Sequence, residues 1–307
     1  MTLINHFSFL SFIIILRAIS FLEIYNFTLN RPTASTANQN TKRRQLARAL
    51  RSIVFINMAQ QGTSSPAAVV GSTGLVGSHI LATLLSLEKS TPVHTFTRRA
   101  PNSASPHLET FVNTDTSTWA PALTALPNPP TVVFSALGTT RGQAGSYAAQ
   151  WKIDHDLNVE MAKAAKAAGA KTFVFCSGAA TNGVISSRLP YSQMKNGVEK
   201  TIKELDFEHG IILKPGFILG QREKSRGIEG IAQSVVSSFS VISLGFRDAI
   251  GQDANVIARA GVKAAMLAEQ GKAPSKYWVL ESADIIRLGR AEWNEGKWTS
   301  IQPITAL

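Results

Sequence analysis

The sequence predicts an α/β protein built on a doubly wound parallel sheet, with a small C-terminal segment on the side where a substrate would bind. Three observations predict this class. Strand-like apolar runs alternate with helix-like segments from Ala67 onward, and a glycine-rich turn joins the first run to the first helix. The 307 residues, 44% of them hydrophobic, suffice for one large domain with a sizeable core. Such alternation is typical of parallel strands joined by right-handed crossover helices.

The elements can be placed in chain order. A first helix is predicted over His79–Leu87, and a long alanine-rich helix over residues 150–169, which Gly169 closes. Six short apolar runs are predicted as strands: Ala67–Val70, Val93–Thr97, Leu108–Val112, Thr131–Ala136, Thr172–Cys176 and Gly210–Leu213.

A glycine-rich loop follows the first strand, in which three glycines are spaced by three. Glycine allows the backbone of such a turn to approach a phosphate closely, and the N–H groups that begin the next helix face the negative charge. The loop therefore predicts a dinucleotide pyrophosphate site, although its spacing differs from the G-x-G-x-x-G fingerprint. The alternative is a turn that binds no phosphate. The predicted contacts are Gly71, Ser72, Thr73, Gly74, Leu75, Val76 and Gly77.

The end of the second strand indicates which dinucleotide is bound. An Asp or Glu about 20 residues beyond the loop would favour NAD, but Arg98 and Arg99 stand there instead. Because guanidinium matches a phosphate in bidentate fashion, the pair favours NADP over NAD. The alternative is a solvated loop with two arginines.

The other strand ends point to further site residues. Ligands of such sheets lie beyond the carboxyl ends of the strands. The corresponding residues are Asp115, Leu137, Gly138, Ser177, Gly178, Pro215 and Gly216.

Tyr191 and Lys195 carry the predicted chemistry. Pro190 is suited to the first position of a helix, and residues four apart then share one helix face. We expect the ammonium of Lys195 to lower the pKa of Tyr191, which then exchanges a proton with a carbonyl or alcohol oxygen. Ser177, at the end of the fifth strand, is expected to hydrogen-bond the same oxygen.

Composition excludes several other classes. The net charge is +11, of which residues 1–57 carry +6. Cys176 is the one cysteine, so the chain has no intrachain disulfide and no cysteine metal site. The six histidines are not paired at metal-ligand spacing, so we expect no metal. No nucleic-acid-binding module is recognisable, so we expect no nucleic-acid partner.

Residues 1–57 are predicted to be an N-terminal extension, and residues 58–307 the dinucleotide-binding domain. Ser8–Leu16 is strongly apolar, and residues 42–51 repeat Arg against Leu and Ala at roughly helical intervals. This basic composition is typical of an organellar presequence or of a helix on a membrane surface. The alternative is that translation starts at Met58, which would leave the protein cytoplasmic.

The glycine loop, Ser177, Tyr191-x-x-x-Lys195 and Lys214-Pro215-Gly216-Phe217 together resemble the atypical branch of the short-chain dehydrogenase/reductase superfamily, whose fold is the Rossmann type. More closely, the chain is similar to fungal mitochondrial outer-membrane Rossmann proteins related to the human Tat-interacting oxidoreductase-like protein. The resemblance covers about residues 66–290. It implies a peripheral location on the mitochondrial outer membrane.

The resemblance also implies roles for single residues. Tyr191 would be the acid/base, Lys195 would bind the nicotinamide ribose, and Ser177 would orient the substrate. Asp115 would lie near adenine and Pro215 near the nicotinamide. Two features depart from the family: the turn Ser135-Ala136-Leu137-Gly138 replaces Asn-Ala-Gly, and the proton-relay asparagine falls near Asp154, with Asn158 one turn on.

The sequence thus supports two functions. The first is an NADP-dependent oxidoreductase acting on a small carbonyl or alcohol, with residues Gln221 to Gly245 as a helical lid. The second is a non-catalytic NADPH-binding protein that contacts a protein partner. A nucleotide-sugar epimerase is disfavoured, because only about 90 residues follow Pro215.

Overall fold

The computed structural model describes residues 66–87, 91–179, 181, 183, 186–220 and 251–293. Within them seven strands form one parallel sheet: β1 (Ala67–Val70), β2 (Val93–Thr97), β3 (Leu108–Val112), β4 (Val132–Ser135), β5 (Thr172–Cys176), β6 (His209–Leu213) and β9 (Tyr277–Leu280). Their spatial order is β3-β2-β1-β4-β5-β6-β9. The predicted α/β class is therefore confirmed.

Helices cover both faces of the sheet. They are α1 (Leu75–Ser86), α2 (Trp119–Thr124), α3 (Arg141–Ala144), α4 (Tyr147–Trp151), α5 (Asn158–Ala167), α6 (Pro190–Glu204), α7 (Ala254–Glu269) and α8 (Ser282–Ile286). On one face α1 and α7 pack against Val69, Phe134 and Val174, and on the other α2, α5 and α6 pack against Val70 and Phe173. Successive strand residues point to opposite faces, so both faces are apolar.

Strand order reverses between β1 and β4. Crossovers from β1 lead outward to β2 and β3, whereas those from β4 lead the other way to β5, β6 and β9. A crevice opens at such a switch point, outside the carboxyl ends of the strands. The glycine loop leaves β1 at this point.

Two further parallel strands, β7 (Phe217–Leu219) and β8 (Gly251–Asp253), form a small sheet beyond β6. A Cβ on Gly251 would overlap the carbonyl oxygen of Phe217, which shows that the two backbones approach closely. A Cβ on Gly220 would lie 3.0 Å from a Leu75 methyl carbon, so this segment reaches the start of α1.

Three predicted elements differ from the structure. The first helix begins at Leu75 rather than His79, inside the predicted loop. The expected long helix is divided into α4 and α5 by a π-helical segment, Lys152–Leu157, where Asp154 and Leu157 are buried. Strand β9, which pairs with the outer edge of β6, was not among the predicted strands, although its four residues are apolar and include good strand formers.

Several predictions fall outside the described residues. They concern the extension of residues 1–57, with its apolar and basic segments, and the helical lid from Gln221 to Gly245. In the described part of the chain, no helix combines the length and the apolar character needed to cross a membrane.

Candidate functional site

The glycine loop forms a tight turn between β1 and α1. Gly71 adopts a φ of +84°, in the left-handed region that favours glycine. The Gly74 N–H donates to the Gly71 carbonyl oxygen at 2.9 Å, and a Cβ on Gly77 would overlap that same oxygen. Two of the three glycines are therefore required by the geometry of the loop itself.

The loop has the features of a phosphate cradle. Gly74 is the N-cap of α1 and provides no side-chain cap for the first N–H groups of the helix. Ser72 Oγ is buried and, within the described part of the chain, has no hydrogen-bond partner. Val76 is buried, whereas Thr73 Oγ1 lies 3.4 Å from Thr97 Oγ1 at the end of β2. These groups fit a bound pyrophosphate.

Arg98 and Arg99 follow β2 at the same edge of the sheet, and both are exposed. The Thr97 hydroxyl donates to the carbonyl oxygen of Arg99 at 2.8 Å, which shapes the turn. The sequence has no Asp or Glu between Val93 and Leu108. The structure thus leaves two guanidinium groups, and no carboxylate, directly after β2.

Asp115 follows β3 and is fully exposed. Its carboxylate accepts hydrogen bonds from the Ser117 hydroxyl at 2.7 Å and the Ser117 N–H at 3.0 Å, and these bonds lower the pKa of Asp115. It caps the short 3₁₀ helix Thr116–Thr118. The role near adenine stays a prediction.

The turn after β4 packs directly on the glycine loop. A Cβ on Gly71 would lie 3.1 Å from the carbonyl oxygen of Ala136, and the Ala136 N–H donates to the Val70 carbonyl. Leu137 is buried and Gly138 is exposed. The predicted binding residues of β1 and β4 are therefore brought together.

Tyr191 stands in the first turn of α6, which Pro190 begins. The residue as a whole is 44% exposed. A Cβ on Gly178 would lie 2.8 Å from the Tyr191 hydroxyl oxygen, so the phenol end of the ring lies against the backbone that leaves β5. Tyr191 is thus at the carboxyl edge of the sheet.

The expectation that Lys195 lowers the pKa of Tyr191 is wrong. Burial of the phenol, followed by the charges of Cys176 and Asp154, raises its pKa to about 12. Lys195 is itself buried: its Nζ donates to the Cys176 carbonyl at 3.2 Å and lies 4.8 Å from the centre of the Phe175 ring. The ammonium is directed into the end of β5, and the phenol stays protonated at neutral pH.

Asp154 is an acidic group at the Tyr191 end of the site. The sequence identified it only as the position near which the family's proton-relay asparagine falls. Its carboxylate is buried beneath the β4 turn, where it accepts from the Thr139 N–H at 2.7 Å and Gln150 Nε2 at 3.3 Å. Burial raises the pKa of Asp154, and the charge of Lys195 opposes that rise. Asn158 does not face a substrate, since its Oδ1 accepts from the buried Ser135 hydroxyl at 2.6 Å.

Ser177 is buried, and its hydroxyl donates to Glu199 Oε1 at 2.5 Å. Glu199 Oε2 lies 3.1 Å from Lys214 Nζ, which also donates to the Thr181 hydroxyl at 3.1 Å. The structure therefore places the Ser177 hydroxyl on Glu199, while Gly178 faces Tyr191. Its predicted contact with the substrate oxygen stays a prediction.

The sequence analysis missed Glu199 and the buried ammonium of Lys214. Glu199 follows Lys195 by four residues and Tyr191 by eight, so the helical period places all three on one face of α6. That spacing was the available signal. The contact with Lys214 joins helix and strand, and no local pattern reveals it.

Pro215 is buried where β6 ends, and its carbonyl oxygen accepts from the Ala179 N–H at 2.7 Å. The segments after β5 and β6 are therefore joined at the site. Among the residues that the structure describes, no group of three or more His, Cys, Asp or Glu side chains could hold a metal ion.

Comparison with known proteins assigns the family. Residues 67–240 match the model of the NAD dependent epimerase/dehydratase family. The chain belongs to the NAD-dependent epimerase/dehydratase family. Among its relatives, "Protein fmp-52, mitochondrial" of Neurospora crassa is 58% identical over 240 residues, 76% of this chain and 99% of that protein. "Protein fmp52-2, mitochondrial" of Aspergillus oryzae is 55% identical, over 75% of this chain and 99% of that protein.

Solved structures share the fold. The Bordetella bronchiseptica enzyme WbmF in complex with NAD⁺ superposes with a TM-score of 0.53 at 15% identity, covering 71% of this chain and 73% of that one. A UDP-galactose 4-epimerase superposes with a TM-score of 0.51 at 16% identity, covering 70% and 76%. At these identities the likeness concerns the fold alone.

Proposed function

We propose that this member of the epimerase/dehydratase family is an NADP-dependent oxidoreductase that acts on a small carbonyl or alcohol. The observation that carries the proposal is the position of Tyr191. This residue, 44% exposed as a whole, lies at the carboxyl edge of the sheet, four residues before the buried Lys195 and on the edge that carries the glycine loop. Phosphate cradle and proton donor thus lie at the same edge of the sheet.

The chain's own residues divide the work in the reductive direction. Bound NADPH would supply a hydride to the carbonyl carbon. Tyr191, whose phenol is protonated at neutral pH, donates its phenolic proton to the carbonyl oxygen, and the product is an alcohol. Lys195 offers N–H donors at the end of β5 for a ribose hydroxyl, and its charge interacts with the carboxyl group of Asp154.

The preference for NADP rests on the arginines after β2. A guanidinium group binds a phosphate more strongly than it binds a ribose hydroxyl, and no carboxylate stands there to accept a 2′-hydroxyl hydrogen bond. Arg98 is the residue on which we base this preference. Titrating the purified full-length protein with NADPH and with NADH tests it, and equal affinity for the two would overturn it.

The catalytic part is tested with a panel of carbonyl compounds. We expect NADPH to be consumed with at least one of them, and Tyr191→Phe to lose that activity while still binding NADPH. Lys171→Ala, a change at an exposed residue just before β5, is the control. Equal rates for Tyr191→Phe and the unaltered protein would end the assignment.

A second function is favoured by the hydroxyl of Ser177. Because that hydroxyl donates to Glu199, it is not directed to Tyr191 in this arrangement. We therefore keep the alternative of a non-catalytic NADPH-binding protein that contacts a protein partner. NADPH binding without consumption across the whole panel would support it.

We further propose a peripheral location on the mitochondrial outer membrane. The relatives named above are called mitochondrial, and residues 42–51 have the basic, apolar alternation of a membrane-surface helix. Kinship with the human Tat-interacting oxidoreductase-like protein is part of the same proposal. Imaging tagged proteins that start at Met1 and at Met58 tests the location, and cytosolic signals from both would overturn it.

A further inference from the structure

A buried polar cluster lies directly behind the proposed proton donor. It consists of Ser177, Thr181, Glu199 and Lys214, each less than 10% exposed. The hydrogen bonds run from Ser177 to Glu199 and from Lys214 to Thr181, and the Glu199–Lys214 ion pair joins the two. The cluster links the segment after β5, the middle of α6 and the end of β6.

The available donors and acceptors determine the direction of the hydrogen bonds around Glu199. A serine hydroxyl has one proton to donate, and an ionised carboxylate only accepts. Glu199 therefore accepts the hydrogen bond of the Ser177 hydroxyl on one oxygen at 2.5 Å and pairs with the Lys214 ammonium through the other. A buried carboxylate requires such a cationic partner, because an unpaired charge in the interior is strongly destabilising.

The next residue, Gly178, carries the effect to Tyr191. A Cβ at Gly178 would lie 2.8 Å from the Tyr191 hydroxyl oxygen and 3.4 Å from Cε1, so the ring rests on this stretch of backbone. The same stretch is held on β6, because the Ser177 N–H donates to the Leu213 carbonyl at 2.9 Å. The position of the Ser177–Gly178 peptide therefore sets how far the phenol can descend into the site.

We propose that Glu199 is a positioning residue, which fixes the Tyr191 hydroxyl through Ser177 and the Gly178 backbone, with Lys214 as its counter-charge. This inference rests on the proposed function of Tyr191 as proton donor. Glu199 acts through other residues and touches neither substrate nor cofactor in this role. Lys195 and Glu199 lie one turn apart on α6 and then have different roles. Lys195 faces the end of β5, whereas Glu199 holds that end in place.

The test uses fluorine NMR of the full-length protein carrying 3-fluorotyrosine, so it needs no substrate. Tyr191→Phe identifies the resonance of Tyr191 among the four tyrosines. We expect Glu199→Gln to move or broaden that resonance, because the amide faces Lys214 without a negative charge and the Ser177 contact is lost or reoriented. Glu204→Gln is the matched control: it removes the same charge from the same helix, at a residue exposed to solvent that pairs with Lys200.

Turnover provides a second reading once a carbonyl is found. We expect Glu199→Gln to lower kcat about tenfold with little change in the KM for NADPH, because a misplaced proton donor slows chemistry without weakening cofactor binding. If no carbonyl is consumed, the proposed oxidoreductase function fails, and the fluorine signal still decides the positioning role.

Ser177→Ala keeps the test decisive if Glu199→Gln does not fold. It removes the hydroxyl but leaves the Glu199–Lys214 pair, and we expect it to move the Tyr191 resonance as well. The double variant Ser177→Ala/Glu199→Gln should move it no further than the larger single effect, since both changes interrupt one path. A Tyr191 resonance that stays in place while Glu199→Gln only lowers Tm would overturn the proposal and leave the cluster a purely structural one.

Discussion

In the glycine loop, the groups that would meet a phosphate are backbone N–H groups and hydroxyls from seven consecutive residues. At the Tyr191 end, the corresponding groups are side chains from β5, α6 and the π-helical segment before α5. The loop excludes a side chain at its third glycine, as the overlap of a Cβ on Gly77 with the Gly71 carbonyl shows. The tyrosine end requires them, and its buried charges interact: Asp154 opposes ionisation of Tyr191, whereas Lys195 favours ionisation of Asp154.

This difference teaches where each half is vulnerable. The loop is sensitive to added volume and insensitive to charge elsewhere, because its geometry is local. The tyrosine end is sensitive to the loss of a single distant charge, because a buried ionisable group depends on its partners. We expect the two halves to respond separately, so that a substitution in one leaves the measurement on the other unchanged.

The largest expected effect is on chemistry at the tyrosine end. Tyr191→Phe removes the proton donor, and we expect the rate of NADPH-dependent carbonyl reduction to fall by about 10² or more. The dissociation constant for NADPH, measured by fluorescence, should not change. A weaker NADPH complex in this variant would show that the two halves are coupled.

The next effect is on the loop. Gly77→Ala brings a methyl group onto the Gly71 carbonyl oxygen, so the loop must shift, and we expect NADPH binding to weaken by about tenfold or more. Gly142→Ala, where an added Cβ meets nothing within 4 Å, is the matched control. The fluorotyrosine resonance of Tyr191 should stay in place in both variants, and a shift in Gly77→Ala alone would contradict the separation.

A smaller effect is expected after β2. Arg98→Ala removes one charge-assisted contact to a 2′-phosphate, so the preference for NADPH over NADH should fall by about tenfold, with NADH binding unchanged. Arg99→Ala, measured in parallel, shows whether the neighbouring guanidinium shares the role. Loss of NADH binding as well would mean that Arg98 supports the loop rather than reading the phosphate.

The smallest effect concerns the pH dependence of stability. Because burial raises the folded-state pKa of Asp154, folding favours the protonated carboxyl, and its contribution is present below the unfolded value of 3.8 and lost as pH rises through the folded value. Relative to Asp154→Asn, the unaltered protein should therefore show a falling Tm as the pH rises from 4 to 7. Glu160→Gln, an exposed change on α5, should run parallel to the unaltered protein. An Asp154→Asn curve that runs parallel to it as well would contradict the raised pKa.

The sequence by itself determined the α/β class, most strand positions and the loop between β1 and α1. These follow from apolar runs, glycine spacing and a proline at the start of α6, which are local signals. It also placed Tyr191 and Lys195 on one helix face, because four residues span about one turn. Strand β9 was not predicted, although Tyr277–Leu280 is an apolar run with good strand formers; its place beside β6 is known only from the pairing in the sheet.

Only the tertiary structure decided what surrounds the tyrosine. That Gly178 rather than Ser177 lies against Tyr191, that Ser177 donates to Glu199, and that Lys214 balances Glu199 are contacts between residues 13 to 22 positions apart in the sequence. The direction in which the Tyr191 pKa shifts was predicted wrongly for the same reason. Spacing along a helix gives the neighbours of a side chain, whereas its burial and the charges that reach it depend on how the strands and helices pack.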